Sequence, residues 1–187
     1  VLGTACGLGV QGSGWVAGEG LVVTNAHVVA GQEDTTVQLG GEGANVDTEA
    51  VWFDPANDLA ILRAPGVAGA PALSMNVTAE PGASAAVLGF PEDGPYDVQP
   101  ARLGQTSTVI SQDAYGRGPV RRTITSVRGL VRQGNSGGPV VDGRGRVVTT
   151  IFAAATSRRR TGYGVPDSLV RRALGRARGP VDTGPCA

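Results

Sequence analysis

The chain has 187 residues, 41% of them hydrophobic, and its 16 Lys and Arg side chains balance 16 Asp and Glu to a net charge of zero. That length and apolar content suffice for one compact unit or for two small barrels sharing an interface. The balanced charge excludes a global field that would draw the chain to nucleic acid or to an anionic membrane, so specificity must come from a local site.

Thirty glycines and twelve prolines interrupt short apolar stretches, the pattern of many strands joined by tight turns. In the first half the stretches Leu8–Ala17, Leu21–Thr24, Thr36–Leu39, Ala50–Phe53, Leu59–Arg63 and Ala83–Leu88 read as strands. Gly12, Gly14, Gly18 and Gly20 fall where a hairpin turns or a second backbone comes close, which favours a closed barrel over a flat sheet. The polar, proline-bearing run Phe90-Pro-Glu-Asp-Gly-Pro-Tyr96 then predicts a linker over residues 91–96, between an N-terminal barrel (1–90) and a C-terminal one (97–187).

The second half resumes with Val98–Ile110, Arg122–Val127, Pro139–Val141, Arg146–Ala155 and Gly162–Val165, two of these joined through the Asp142-Gly-Arg-Gly145 turn. After Pro166 the period changes: Leu169, Val170, Ala173 and Leu174 recur at helical spacing, predicting a closing helix over about 167–174. The fold class expected is therefore all-β with a short C-terminal helix.

Cys6 and Cys186 are the two cysteines and lie almost at the chain ends. They read as a staple, with two free thiols as the alternative. A bridge closing so long a loop is worth about 5 kcal/mol in the chain-entropy model and implies an oxidising compartment. No stretch approaches the roughly 20 apolar residues that span a bilayer. The start at Val1, with neither methionine nor signal peptide, predicts a domain cut from a longer precursor, so any membrane attachment comes through a segment absent from this chain.

Chemistry concentrates in three places. Gly134-Asn-Ser-Gly-Gly-Pro139 exposes one serine hydroxyl on a glycine-lined turn, and the N–H groups of Gly134 and Ser136 flank Asn135 where a tetrahedral intermediate needs donors for its negative oxygen. A serine is a weak nucleophile until a base takes its proton, and the chain holds one histidine, His27, in Thr24-Asn-Ala-His-Val-Val29, after a strand and at the start of a helical turn. A buried carboxylate should orient that imidazole. Asp58, at the entrance of the apolar strand in Asn57-Asp-Leu-Ala-Ile-Leu62, suits the role better than Asp34, Asp47, Asp54 or Asp142, which sit in polar or turn-like contexts.

Thr-Asn-Ala-His, Asn-Asp-Leu-Ala-Ile-Leu and Gly-Asn-Ser-Gly-Gly-Pro, in that order, resemble the trypsin-like double-barrel serine proteases over Gly9 to about Leu174. The resemblance implies a chymotrypsin-like pair of six-stranded barrels, with His27 and Asp58 from the first and Ser136 from the second. Asparagine before the serine is similar to the bacterial HtrA-like branch. Digestive members carry aspartate there to pair with a newly cleaved N-terminus, so activation by insertion of Val1 is not expected. The terminal cysteines, the lack of a PDZ domain and the exclusive use of arginine as the basic residue make the chain resemble membrane-anchored periplasmic proteases of actinobacteria. That resemblance implies a monomeric enzyme at the periplasmic or extracellular face of the envelope, processing envelope proteins under stress.

The same resemblance places a specificity pocket near Leu130 and along Phe152-Ala-Ala-Ala155, so that Phe152, Ala153 and Ala154 pair with an extended peptide. Leu130, Ala154 and Thr161 make that pocket neutral, which predicts an uncharged, moderately apolar side chain before the scissile bond. Arg158-Arg-Arg160 reads as a solvated loop, and Trp15 and Trp52 as packing residues. One histidine and two terminal cysteines do not make a zinc shell, so neither metal nor other cofactor is expected. Two rivals remain at this level: an HtrA-type core working as a trimer with a PDZ domain, and a binding module that keeps the fold without turnover.

Overall fold

The computed structural model describes residues 1–155 and 160–187; Arg158 and Arg159 of the arginine run lie outside them. The elements in chain order are β1 (Leu2–Ala5), β2 (Leu8–Gln11), β3 (Trp15–Gly18), β4 (Leu21–Thr24), α1 (Ala26–Val29), β5 (Thr36–Val37), β6 (Val46–Asp47), β7 (Glu49–Asp54) and β8 (Leu59–Arg63). They continue with β9 (Ser84–Gly89), β10 (Asp97–Ser111), β11 (Val120–Gly129), β12 (Pro139–Asp142), β13 (Val147–Ala154), β14 (Thr161–Pro166) and α2 (Asp167–Leu174). The architecture is all-β with a short closing helix.

The two halves solve the edge problem differently. β9 to β14 close into a six-stranded barrel in the order β10-β11-β14-β13-β12-β9. The first half instead forms two four-stranded sheets, β2-β1-β5-β6 and β3-β4-β8-β7, where the sequence suggested one closed barrel. β5 and β6 have two residues each and β1 meets β5 through one register pair, too short a ladder to carry hydrogen bonding round a full circle.

The expected strand Leu8–Ala17 is interrupted over Gly12–Gly14. A Cβ on Gly12 would stand 2.7 Å from Val28 Cγ2 and 2.9 Å from the Ser136 carbonyl, so the chain there is pinned between two other segments instead of running straight. Ser84–Gly89, placed by sequence in the first barrel, pairs with β10 and β12. The sheet boundary therefore falls between Arg63 and Ser84, upstream of the proline-bearing run at 91–96, and the 1–90 division does not follow the hydrogen bonding.

One apolar seam holds the halves together. Trp15, Val23, Val51, Leu59 and Ile61 from the first half pack with Val141, Val147, Phe152, Val165, Val170 and Ala173 from the second. Trp15 serves as a packing residue, and its indole N–H donates to Thr150 Oγ1 across the seam at 3.1 Å. α2 buries Val170 and Ala173 against β13, β14 and β8, the stripe its helical spacing predicted.

Candidate active site

α1 is one turn long, and Asn25 before it is extended. This geometry lifts His27 out of β4 toward the cleft while Ala26, Val28 and Val29 anchor the turn in the core. Asp58 adopts φ +57°, a left-handed conformation uncommon for a residue with a side chain. It is held there from two sides: Asn25 Nδ2 donates to its carbonyl at 2.8 Å, and the His27 backbone N–H donates to its Oδ1 at 2.9 Å. Its other carboxylate oxygen lies 2.8 Å from His27 Nδ1. Asp58 is 4% exposed, so the carboxylate is shielded from water and committed to one imidazole edge. That leaves Nε2 of His27 for the cleft.

Packing holds the Ser136 turn against the first half: the Ser13 N–H donates to the Ser136 carbonyl at 2.7 Å. No hydrogen bond joins Ser136 to His27 among the described residues. The nucleophile turn is pressed onto the first half at glycines: a Cβ on Gly137 would stand 2.4 Å from Thr24 Oγ1, three residues before His27. Gly134 has φ +87°, and a Cβ there would meet the Phe90 carbonyl at 2.5 Å. Both positions need glycine for conformation and for space.

The hydrogen bonding of the turn is selective. Asn135 N–H donates to the Arg132 carbonyl, Gly137 N–H to Ile151 and Gly138 N–H to Asn135, at 2.8 to 3.1 Å. Among the described residues the N–H groups of Gly134 and Ser136 have no protein acceptor. The carbonyls of their own peptide units are engaged on the reverse side, Gln133 O by Glu92 N–H and Asn135 O by Gly138 N–H, both at 2.9 Å. In a trans peptide the N–H points away from the C=O, so both free donors are turned away from those contacts. Such a pair can receive an anionic oxygen.

β12 pairs with β13 as far as Thr150, and Gly137 and Gly138 engage Ile151. From Phe152 onward β13 has β14 on one side and no partner strand on the other among the described residues. Ala153 is half-buried and Ala154 exposed, as is suited to an edge that an extended peptide can join. Phe152 is 9% exposed; its ring belongs to the inter-half seam and carries the Arg122 guanidinium 4.1 Å from its centroid. Only its backbone is left for the edge. Leu130 is half-buried before Val131, which packs so closely on Gly162 that a Cβ there would meet Val131 Cγ2 at 2.5 Å.

Three features escaped the sequence. Arg122, in β11, is buried, and its Nε and Nη1 have no hydrogen-bond partner among the described residues. Burial pushes its guanidinium below the ordinary value, while the charges of Asp58 and Asp113 act in the opposite direction. Arg132, at the base of the nucleophile turn, pairs with Asp97 and donates its backbone N–H to Asn135 Oδ1 at 2.9 Å. Asn135 is thereby engaged within its own turn, whereas the Val1 amine donates to the Gly12 carbonyl at 2.9 Å. The third is Ser13, a buried serine whose hydroxyl touches both halves. No local pattern marks these residues, because each acts on partners far away in the sequence.

Cys6 and Cys186 form a disulfide, with Cα atoms 6.1 Å apart. An apolar cavity of about 560 Å³ is lined by residues including Trp15, Val22, Leu39, Phe90 and Tyr96. None of His27, Asp58 and Ser136 lines it. Among the described residues no group of three or more His, Cys, Asp or Glu side chains could hold a metal ion, and no helix is long and apolar enough to cross a membrane.

Comparison with known proteins places the chain in a family. The serine protease Rv3671c (MarP) of Mycobacterium tuberculosis is 36% identical over 99% of this chain, which spans 47% of that protein's length. A DegP-like probable periplasmic serine endoprotease of Brucella suis is 31% identical over 88% of this chain and 32% of its own length. The crystal structure of the Rv3671c protease in its active form superposes with a TM-score of 0.90 over 99% of this chain and 83% of that one; its inactive form gives 0.78 over 91% and 85%. The family model for the trypsin-like peptidase domain matches residues 12–149, and the chain belongs to that family.

Proposed function

We propose that this domain is a serine endopeptidase working through an acyl-enzyme. His27 Nε2 takes the proton of Ser136 Oγ as that oxygen attacks the scissile carbonyl, and Asp58 holds the imidazole and stabilises its charged form. The carbonyl oxygen, now negative, is received by the N–H groups of Gly134 and Ser136. His27 then returns the proton to the leaving amine. Water, deprotonated by His27, attacks the acyl ester, and collapse of the second intermediate frees the acid and restores Ser136.

The observation that carries this reading is that, among the described residues, the N–H groups of Gly134 and Ser136 have no acceptor while those of Asn135, Gly137 and Gly138 are paired. The better superposition on the active form of the Rv3671c protease than on its inactive form supports a turn resting in a competent arrangement. The neutral surroundings of Leu130, Ala154 and Thr161 favour an uncharged apolar side chain before the scissile bond. The disulfide favours an oxidising compartment, and similarity to Rv3671c and DegP-like proteins extends this to a periplasmic or extracellular setting. There we place a monomeric domain that processes envelope proteins under stress.

The test is cleavage of a peptide library, with Ser136→Ala as control. We expect cleavage dominated by alanine, valine, leucine or similar residues before the scissile bond, abolished in the variant. A profile dominated by lysine or arginine would overturn the specificity, and cleavage that persists in Ser136→Ala would overturn the mechanism.

A further inference from the structure

Gly134 lacks the Cβ that restrains other residues, so its free N–H keeps its aim only if both peptide planes beside it are held. The plane before it is fixed by Glu92 N–H on the Gln133 carbonyl at 2.9 Å. The plane after it is held at both ends: Asn135 N–H donates to the Arg132 carbonyl at 3.1 Å, and Ser13 Oγ donates to the Gly134 carbonyl at 2.6 Å. The same oxygen accepts the Phe90 N–H at 3.0 Å, so the hydroxyl's single proton is committed to Gly134.

The backbone of Ser13 grips the turn a second time. Its N–H donates to the Ser136 carbonyl at 2.7 Å, and its own carbonyl accepts Thr24 Oγ1 at 2.9 Å. Ser13 is 1% exposed, and glycines crowd it: a Cβ on Gly89 would stand 2.7 Å from its Oγ, one on Gly137 2.2 Å from its carbonyl, and one on Gly138 3.2 Å from its Cβ. A first-half residue thus contacts the carbonyls of both residues whose N–H groups stay free.

We infer that Ser13 is a positioning residue for peptide hydrolysis: its hydroxyl, bridging the Phe90 amide and the Gly134 carbonyl, keeps the Gly134 N–H aimed at the oxyanion. Ser13 touches no substrate and acts through Gly134. The inference rests on the oxyanion role proposed above for Gly134. Without the hydroxyl, the 134–135 plane keeps only the Asn135 N–H bond to the Arg132 carbonyl, Gly134 gains freedom to rotate, and the oxyanion loses one of its two ligands for part of the time. Complete removal of such a donor lowers kcat about 10²- to 10³-fold, which bounds the effect.

The experiment measures kcat and KM on the best library peptide for the wild type, Ser13→Ala, and Val67→Ala, a core truncation in the first half away from the turn. Ser13→Ala is expected to lose about 10- to 100-fold in kcat with KM within about threefold, because the donor acts mainly on the transition state. Val67→Ala is expected to lose melting temperature and keep kcat. Should Ser13→Ala fail to fold, Ser13→Cys, similar in shape and only a weak donor, carries the same expectation. A Ser13 variant that folds and turns over within twofold of wild type would overturn the inference, as would an equal kcat loss in Val67→Ala, and either leaves the endopeptidase reading standing. A wild type that cleaves nothing removes both.

Discussion

The first half of the molecule supplies a preassembled pair, and the second supplies a turn that others must hold. His27 and Asp58 sit on neighbouring segments of one sheet region and contact each other twice, through the imidazole and through a backbone amide. Ser136 stands on a glycine-rich loop whose carbonyls are held by Ser13 from the first half and by Glu92 from the segment between β9 and β10. The proposed base is thus fixed within its own half, whereas the proposed oxyanion donors depend on contact between segments distant in sequence. Damage to the first system should remove chemistry and spare the fold, and damage to the second should couple activity to local packing.

The largest effect tests the fixed pair. Asp58→Asn keeps the shape but presents an amide to Nδ1, favouring the wrong tautomer, and kcat should fall about 10⁴-fold while thermal unfolding changes little. A loss under tenfold would mean that Asp58 is not the orienting group. On the held turn, Gly134→Ala forces a methyl toward the Phe90 carbonyl at a positive φ. It should lower kcat about 10²- to 10³-fold and also lower the melting temperature, so that activity and stability fall together.

Smaller effects concern the joint between the halves. The C-terminal tail lies on the first half, with Gly31 N–H donating to Thr183 O at 3.2 Å and Val181 N–H to Ala50 O at 2.9 Å, and the disulfide ties it to β1. Reduction should lower stability by up to about 5 kcal/mol, read as a shift of the urea midpoint; an unchanged midpoint would mean that the tail contacts suffice alone.

Asp167 opens α2 nearly buried, and burial raises its carboxyl to about 7. Neither carboxylate oxygen has a hydrogen-bond partner among the described residues. A folded value above the unfolded one means that the native state keeps a proton the unfolded chain has released, so this site's stabilisation is full below about pH 4 and is lost as pH rises through 7. Asp167→Asn should therefore stabilise the domain at pH 8 by on the order of 2 kcal/mol relative to wild type, and by less at pH 5. Urea midpoints at the two pH values check this, and an equal shift at both would contradict the burial argument.

The sequence was legible where function and fold use local signals. β4, β8 and α2 span the residues their apolar patterns predicted, and His27 and Asp58, singled out by their motifs, lie within hydrogen-bond distance. It was opaque where partners are remote. β9 went to the wrong half because strand pairing carries no local mark, and β1, as Leu-Gly-Thr-Ala, has no alternation to betray it. Ser13 stands between two glycines with nothing local to mark it, and its hydroxyl bonds residues 77 and 121 positions away. The register shift between Ile151 and Ala153 and the packing of the Phe152 ring in the core likewise carry no local mark.

The central claim is an activated Ser136 served by His27 and an oxyanion turn already in place. Its most direct test is intact-mass spectrometry after treatment with a serine-directed fluorophosphonate, on wild type, Ser136→Ala and His27→Ala. The account predicts one adduct per wild-type chain and none in either variant. An adduct that survives in Ser136→Ala, or a folded wild-type domain that takes none, would contradict it.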